Sequence, residues 1–217
     1  LPNKSQVQSG EVNKPIRRGP LLDHLDEIEA QCSQGEITLK SIFKIFGNDS
    51  HYLLIFFFIL PFLQPIPLFG LSTPIGIVIA VVAYFAYRKK PPILPKRWEN
   101  KKLPASTVLK IAEGSERVFE KLSFILQPRW KYLFKPPFRT ANSLIIIASA
   151  ILLALPLPIP FSNAVPAWVI LFQTLGHLEE DGLLIIISYV QTLVCLVFFG
   201  FLAFGANVLI GTASAAP

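Results

Sequence analysis

The chain has 217 residues, of which 52% are apolar and only 16% charged, with 19 prolines and a formal net charge of +6. Residues 88–140 carry 14 basic against 4 acidic groups, whereas residues 51–87 carry no charge and residues 141–217 carry three acids alone. This excludes an ordinary soluble domain, a disordered chain and a uniformly basic nucleic-acid binder.

Residues 1–19 are polar, broken by Pro15 and Gly19-Pro20, and read as a flexible tail. Leu1 and the absence of any Met predict a chain trimmed at its N-terminus. Residues 20–50 hold two amphipathic helices. In the first, Leu21, Leu22, Leu25 and Ile28 recur at helical spacing among acids up to Cys32; the second is capped by Thr38, with Leu39, Ile42, Phe43 and Phe46 opposite Lys40 and Lys44. Such a helix suits a membrane interface.

Residues 51–87 are apolar but cannot form one straight helix, because Pro61, Pro65, Pro67 and Pro74 remove amide donors and clash with preceding turns. The spacing predicts helices over about 52–64 and 74–87 around a break at Pro65-Ile66-Pro67. The first piece, roughly 20 Å long, is shorter than the ~30 Å hydrocarbon core, which is how a re-entrant hairpin reads. Residues 88–140 form a basic cytoplasmic linker, with a charged amphipathic helix over 105–126 that is too costly to place in lipid. Pro128-Arg129-Trp130-Lys131-Tyr132 has the character of an interface anchor.

Residues 141–181 repeat the first hairpin: a helix over 143–157, a break at Pro158-Ile159-Pro160, and a helix over 164–178. In residues 182–217, the uninterrupted apolar run 183–206 is the best complete transmembrane helix. The fold class is therefore an all-α membrane protein with two repeated Pro-broken helical hairpins, one full transmembrane helix and interfacial helices. Cys32 and Cys195 have no metal spacing and read as free thiols.

Corresponding broken segments in two halves of a chain point to a transporter's midplane site, because freed backbone groups need protein or water around them. The polar residues at the breaks are Gln64, Ser72, Thr73, Ser162 and Asn163. Gln173, His177, Glu179 and Asp181 add a polar face running into the cluster Glu179-Glu180-Asp181, suited to a cation or proton path. The alternative reading of that cluster is a solvated turn with a helix cap. No catalytic motif, metal-ligand spacing or cofactor fingerprint is present, so the chain reads as a non-enzyme without metal or cofactor.

Leu155-Pro156-Leu157-Pro158-Ile159-Pro160-Phe161-Ser162-Asn163 and Gly176-His177-Leu178-Glu179-Glu180-Asp181-Gly182-Leu183 resemble the ExoD family, with likeness running from about Leu21 to Gly205. Glu179 and Asp181 match its acidic turn; Glu180 stands where the family pattern has a basic residue. The resemblance implies a bacterial-type inner-membrane protein linked to exopolysaccharide production.

The leading expectation is a homodimeric secondary transporter of a small, cationic solute such as a basic amino acid, in contact with membrane lipid and with no nucleic-acid partner. The alternatives are a noncatalytic membrane component of exopolysaccharide synthesis or export, and a scramblase-like lipid handler.

Overall fold

The computed structural model describes residues 20–33, 37–63, 70–90, 102–103, 127–157, 159 and 161–214. The expected charged helix over 105–126 lies outside them, as do Gln64 and the break prolines Pro65, Pro67, Pro158 and Pro160.

The described chain is almost wholly helical. Helix α1 spans Pro20–Ser33 and α2 spans Leu39–Phe46. The Thr38 hydroxyl accepts the Ser41 amide at 3.2 Å, satisfying one of the orphan donors at the start of α2, as a threonine cap should. The His24 and Phe46 rings stack at 4.7 Å and tie α1 to the end of α2. One feature has no signature in the sequence: β1 (Ile37–Thr38) pairs antiparallel with β2 (Lys102–Leu103), fastening part of the basic segment beside α2.

Helix α3 spans Ser50–Ile59 and runs into a 3-10 turn over Leu60–Leu63, where Pro61 ends regular helix. Helix α4 spans Ser72–Tyr87, α5 Phe138–Ala154, α6 Ala164–Leu178 and α7 Gly182–Ser214. The axis turns by 112° between Lys40–Phe46 and Ser50–Leu63, so α2 lies across the end of α3.

Helices α3, α4, α5 and α6 close a four-membered ring in which α3 packs on α4 and α6, and α5 packs on α4 and α6. Ile55, Ile59, Phe62, Ile79, Ile146, Leu153 and Ile170 meet at its centre, each at most 1% exposed. Neighbours run antiparallel. Thr73 at the start of α4 donates to the carbonyl of Ala154 at the end of α5, and Tyr52 at the start of α3 stacks on His177 at the end of α6. The starts of α4 and α6 therefore share one end of the ring, and the basic and acidic groups gather at the other.

The ring helices contain 16, 17 and 15 residues in α4, α5 and α6, about 22–26 Å at 1.5 Å per residue. Helix α7, with 33 residues, is about 50 Å long and overhangs them. Its Gly182–Val208 part is the one unbroken helix among the described residues that is long and apolar enough to cross a membrane. Val197, Phe201 and Phe204 on its distal half are 65–76% exposed. Both cysteines are free and buried.

Candidate functional site

The charged end of the ring is built around the turn joining α6 to α7. Helix α6 stops where Glu180 takes a left-handed conformation (φ 50°), allowing the Asp181 amide to reach the Gly176 carbonyl at 2.9 Å and the Glu180 amide to reach that of His177. This pattern satisfies the last carbonyls of a helix. Asp181 then starts α7: its Oδ1 accepts the Leu183 amide at 2.9 Å, and its charge sits at the positive end of the helix dipole.

The same carboxylate holds residues 127–130. Arg129 donates from Nε to Oδ1 at 2.9 Å and from its terminal nitrogen to Oδ2 at 3.2 Å, while the Gln127 amide reaches Oδ2 at 3.1 Å. The Gly182 amide donates to the Arg129 carbonyl at 2.9 Å. The close approach needs glycine: a Cβ on Gly182 would fall 2.8 Å from that carbonyl oxygen. The pairing with Asp181 also favours the charged guanidinium, holding Arg129 above its ordinary value. Glu180 pairs with Lys131 at 2.8 Å across the surface.

Beside this rivet, Glu179 is 2% exposed and has no ion pair among the described residues. Burial, then the negative charges of Asp181 and Asp23, raise its carboxyl to about 7. Asp49, between α2 and α3, is raised chiefly by burial, with His24, Glu180 and Arg139 close enough to act on it. His177 lies between the Tyr52 ring, stacked at 4.2 Å, and the Phe134 ring, edge-on at 5.3 Å. Its Nδ1 is 2.7 Å from the Gln173 carbonyl, which can only accept, so Nδ1 carries the proton. Buried Nε2 is left as an acceptor without a hydrogen-bond partner among the described residues. One turn back, Gln173 is fully buried, and neither of its amide atoms has a hydrogen-bond partner among the described residues.

The expected site residues thus divide into groups. Ser72, Thr73, Ser162 and Asn163 lie at the uncharged end. Thr73 bridges to Ala154 at 2.8 Å, and the Ser162 hydroxyl donates to the Ile159 carbonyl at 2.8 Å. Asn163 keeps a buried Oδ1 without a hydrogen-bond partner among the described residues. Glu179 and Asp181 lie at the opposite end of α6, about 24 Å away from Asn163 by helical rise, with Gln173 between. They do not surround one midplane point, and Asp181 is committed to Arg129 and the α7 cap. Tyr52, Phe134 and Arg129 join the charged end without having been expected there. Arg129, 52 positions from Asp181, and the aromatic pair, distant in sequence from His177, carried no signal of these contacts.

Chemically, Glu179 can exchange a proton near neutral pH. The Thr174 and Ser188 hydroxyls donate to carbonyls of their own helices, at 2.8 and 2.6 Å, and are not set against a base. Among the described residues no group of three or more His, Cys, Asp or Glu side chains is placed to hold a metal ion.

These features define a helical protein with one helix able to cross a membrane and a cross-braced acidic turn. The family profile described as "Exopolysaccharide synthesis, ExoD" matches residues 21–201, and the chain belongs to the ExoD family. It is 29% identical over 188 residues to Protein ExoD of Rhizobium meliloti (strain 1021), covering 86% of this chain and 78% of that one. It is also 29% identical over 143 residues to an uncharacterized protein of Synechocystis sp. (strain ATCC 27184 / PCC 6803 / Kazusa), covering 65% of this chain and 64% of the relative. No solved structure matches. The family link is to exopolysaccharide synthesis, and nothing in the matches points to transport of a basic amino acid.

Proposed function

We propose that the chain is a noncatalytic, multi-pass component of exopolysaccharide synthesis or export in a bacterial-type inner membrane, with its charged end in the cytoplasm. The family match over residues 21–201 carries this reading. Membrane placement is supported by α7 and by charge asymmetry. Arg88, Lys89, Lys90, Arg129, Lys131, Lys135 and Arg139 gather at one end of the ring, and the described residues at the other end bear no charge.

In this reading α3–α4 and α5–α6 are two copies of one Pro-broken hairpin, running parallel in the membrane. Two likenesses support that. Helices α4 and α6 both end on a charged residue in the left-handed region, Lys89 and Glu180, and each break carries a left-handed residue shortly before the next helix, Gly70 and Phe161. The exposed distal half of α7 is the surface we assign to homodimer contact.

Solute transport is the second reading, favoured by Glu179 and by the buried Gln173, whose amide has no partner among the described residues. Asp181 contributes little to it, because Arg129 already neutralises it. Expression in a bacterium lacking its own family member, with secreted polysaccharide as the readout, tests both. The component reading expects Gln173→Leu and Glu179→Gln to restore polysaccharide as wild type does, and expects no solute uptake into proteoliposomes. Loss of polysaccharide in those two variants at normal membrane levels favours transport; failure of the wild-type chain itself sinks the link to polysaccharide.

A further inference from the structure

On the outside of the ring, α4 and α5 leave an apolar groove of about 340 Å³ lined by Gly76, Ile77, Ala80, Val81, Tyr84, Ile151 and Ala154. Its floor exists because Gly76 has no side chain. A Cβ there would lie 2.8 Å from the Ala150 carbonyl oxygen and 2.9 Å from the Ala154 Cβ, so the two helices meet backbone to backbone and the larger side chains stand up as walls. Ile77, Val81, Tyr84 and Ile151 are 49–56% exposed, so the groove opens outward.

Ile77, Val81, Tyr84 and Arg88 are spaced at 4, 3 and 4 residues and share one stripe of α4, which brings the groove up to a cation. The helix then turns back in a fixed way. The Arg88 amide donates to the Tyr84 carbonyl at 3.0 Å, Lys89 is left-handed (φ 52°) with its amide on Ala86, and the Lys90 amide reaches Phe85 at 3.1 Å. Arg88, Lys89 and Lys90 are all exposed, and no acid pairs with them among the described residues. From Ile77 to Arg88 is about 16 Å of helix, on the scale of one leaflet of a ~30 Å hydrocarbon core.

We propose that this stripe is a binding site for one anionic glycerophospholipid, its acyl chain in the α4–α5 groove and its phosphate on Arg88, Lys89 and Lys90. An apolar channel ending in three clustered cations complements an amphiphile with a phosphate head and a hydrocarbon tail, and Tyr84 stands where an interfacial aromatic would contact the ester region. This rests on the membrane placement above and not on the role in polysaccharide synthesis.

The test uses the full chain purified in detergent, with palmitoyl-oleoyl phosphatidylglycerol and phosphatidylcholine as probes and bound lipid read by native mass spectrometry alongside the melting temperature. The expected result is about tenfold tighter retention of phosphatidylglycerol. The R88Q/K89Q/K90Q variant should lose that preference, and Ala80→Leu, which fills the groove, should weaken retention of both lipids. Equal retention of the two lipids by wild type, or a preference unchanged in R88Q/K89Q/K90Q, overturns the proposal. So does competition by free glycerol 3-phosphate as strong as that of the lipid, which would make the site one for soluble phosphate. Should Ala80→Leu not fold, the surface triple variant decides alone. Alkaline carbonate extraction separates the two levels: release of wild type from membranes removes the membrane placement, whereas retention without a lipid preference removes only this site.

Discussion

Arg129 and Asp181, 52 positions apart, meet through two hydrogen bonds, and the carboxylate that accepts them also caps α7. One side chain thereby sets where the long helix begins and where the segment preceding α5 attaches. The Asp181 side chain is 1% exposed and that of Arg129 36%, so the carboxylate bears most of the desolvation. Replacing Asp181 with Ala removes the one acceptor that the Arg129 guanidinium and the Gln127 and Leu183 amides share. We expect a loss of about 2–4 kcal/mol. Asp181→Asn, which keeps an acceptor but not the charge, should lose less. Thermal unfolding of the detergent-solubilised chain ranks the three; equal melting temperatures would show that the brace contributes nothing.

Glu179 makes stability depend on pH in a direction opposite to that of most carboxylates. Its ordinary value is 4.5, and burial with the neighbouring Asp181 and Asp23 raises it to about 7 in the folded chain. A group with a raised folded value binds its proton more tightly when folded. Its contribution is complete below pH 4.5 and is lost as pH rises through about 7. The melting temperature of wild type minus that of Glu179→Gln should therefore fall between pH 5 and 8, leaving the variant the more stable of the two above neutrality. A difference that stays flat over this range would place Glu179 in contact with water.

Much of this architecture is legible in the sequence, and what escapes it is of one kind. The apolar run from Ala164 to Leu178 has the observed bounds of α6, because a proline break precedes it and the acidic turn follows it. Thr38 caps α2 as its position before an amphipathic run requires. Helix α7 continues past the expected end to Ser214, since residues 207–214 hold no proline and a single glycine, Gly211, weakens a helix without ending it. Pairings between distant segments are not legible: the β1–β2 ladder, Arg129 on Asp181 and Tyr52 on His177 each depend on how the helices close into a ring. The division of the polar residues between two ends of α6 has the same origin. A Pro-Ile-Pro segment in each half says nothing of depth; the height of a polar residue along the ring comes only from packing.

Gln173 offers a test that separates structure from function. Its amide is fully buried with no hydrogen-bond partner among the described residues, and burying such a group without a partner costs about 1–3 kcal/mol. Leu has similar bulk and no polar atom, so Gln173→Leu should raise the melting temperature. A fall instead would mean that the amide holds water or solute inside the ring.

Helix α7 tests the membrane placement directly. Val197 and Phe201 lie one turn apart on its overhanging half and are 65% and 76% exposed, which suits hydrocarbon and not water. A lysine near the middle of a spanning helix costs about 2.5–3.5 kcal/mol on insertion. Phe201→Lys lies nearer the far interface, where its side chain can reach the headgroups and the cost is smaller. We therefore expect Val197→Lys to lower the fraction of chain resisting carbonate extraction more than Phe201→Lys does. Lysine at Gln191, about 9 Å nearer the charged end than Val197 and closer to the middle of Gly182–Val208 than Phe201, should have an effect between the two. Equal extraction of all three variants and wild type would mean that this helix does not cross the bilayer, because only a spanning segment grades the cost of a charge by its depth.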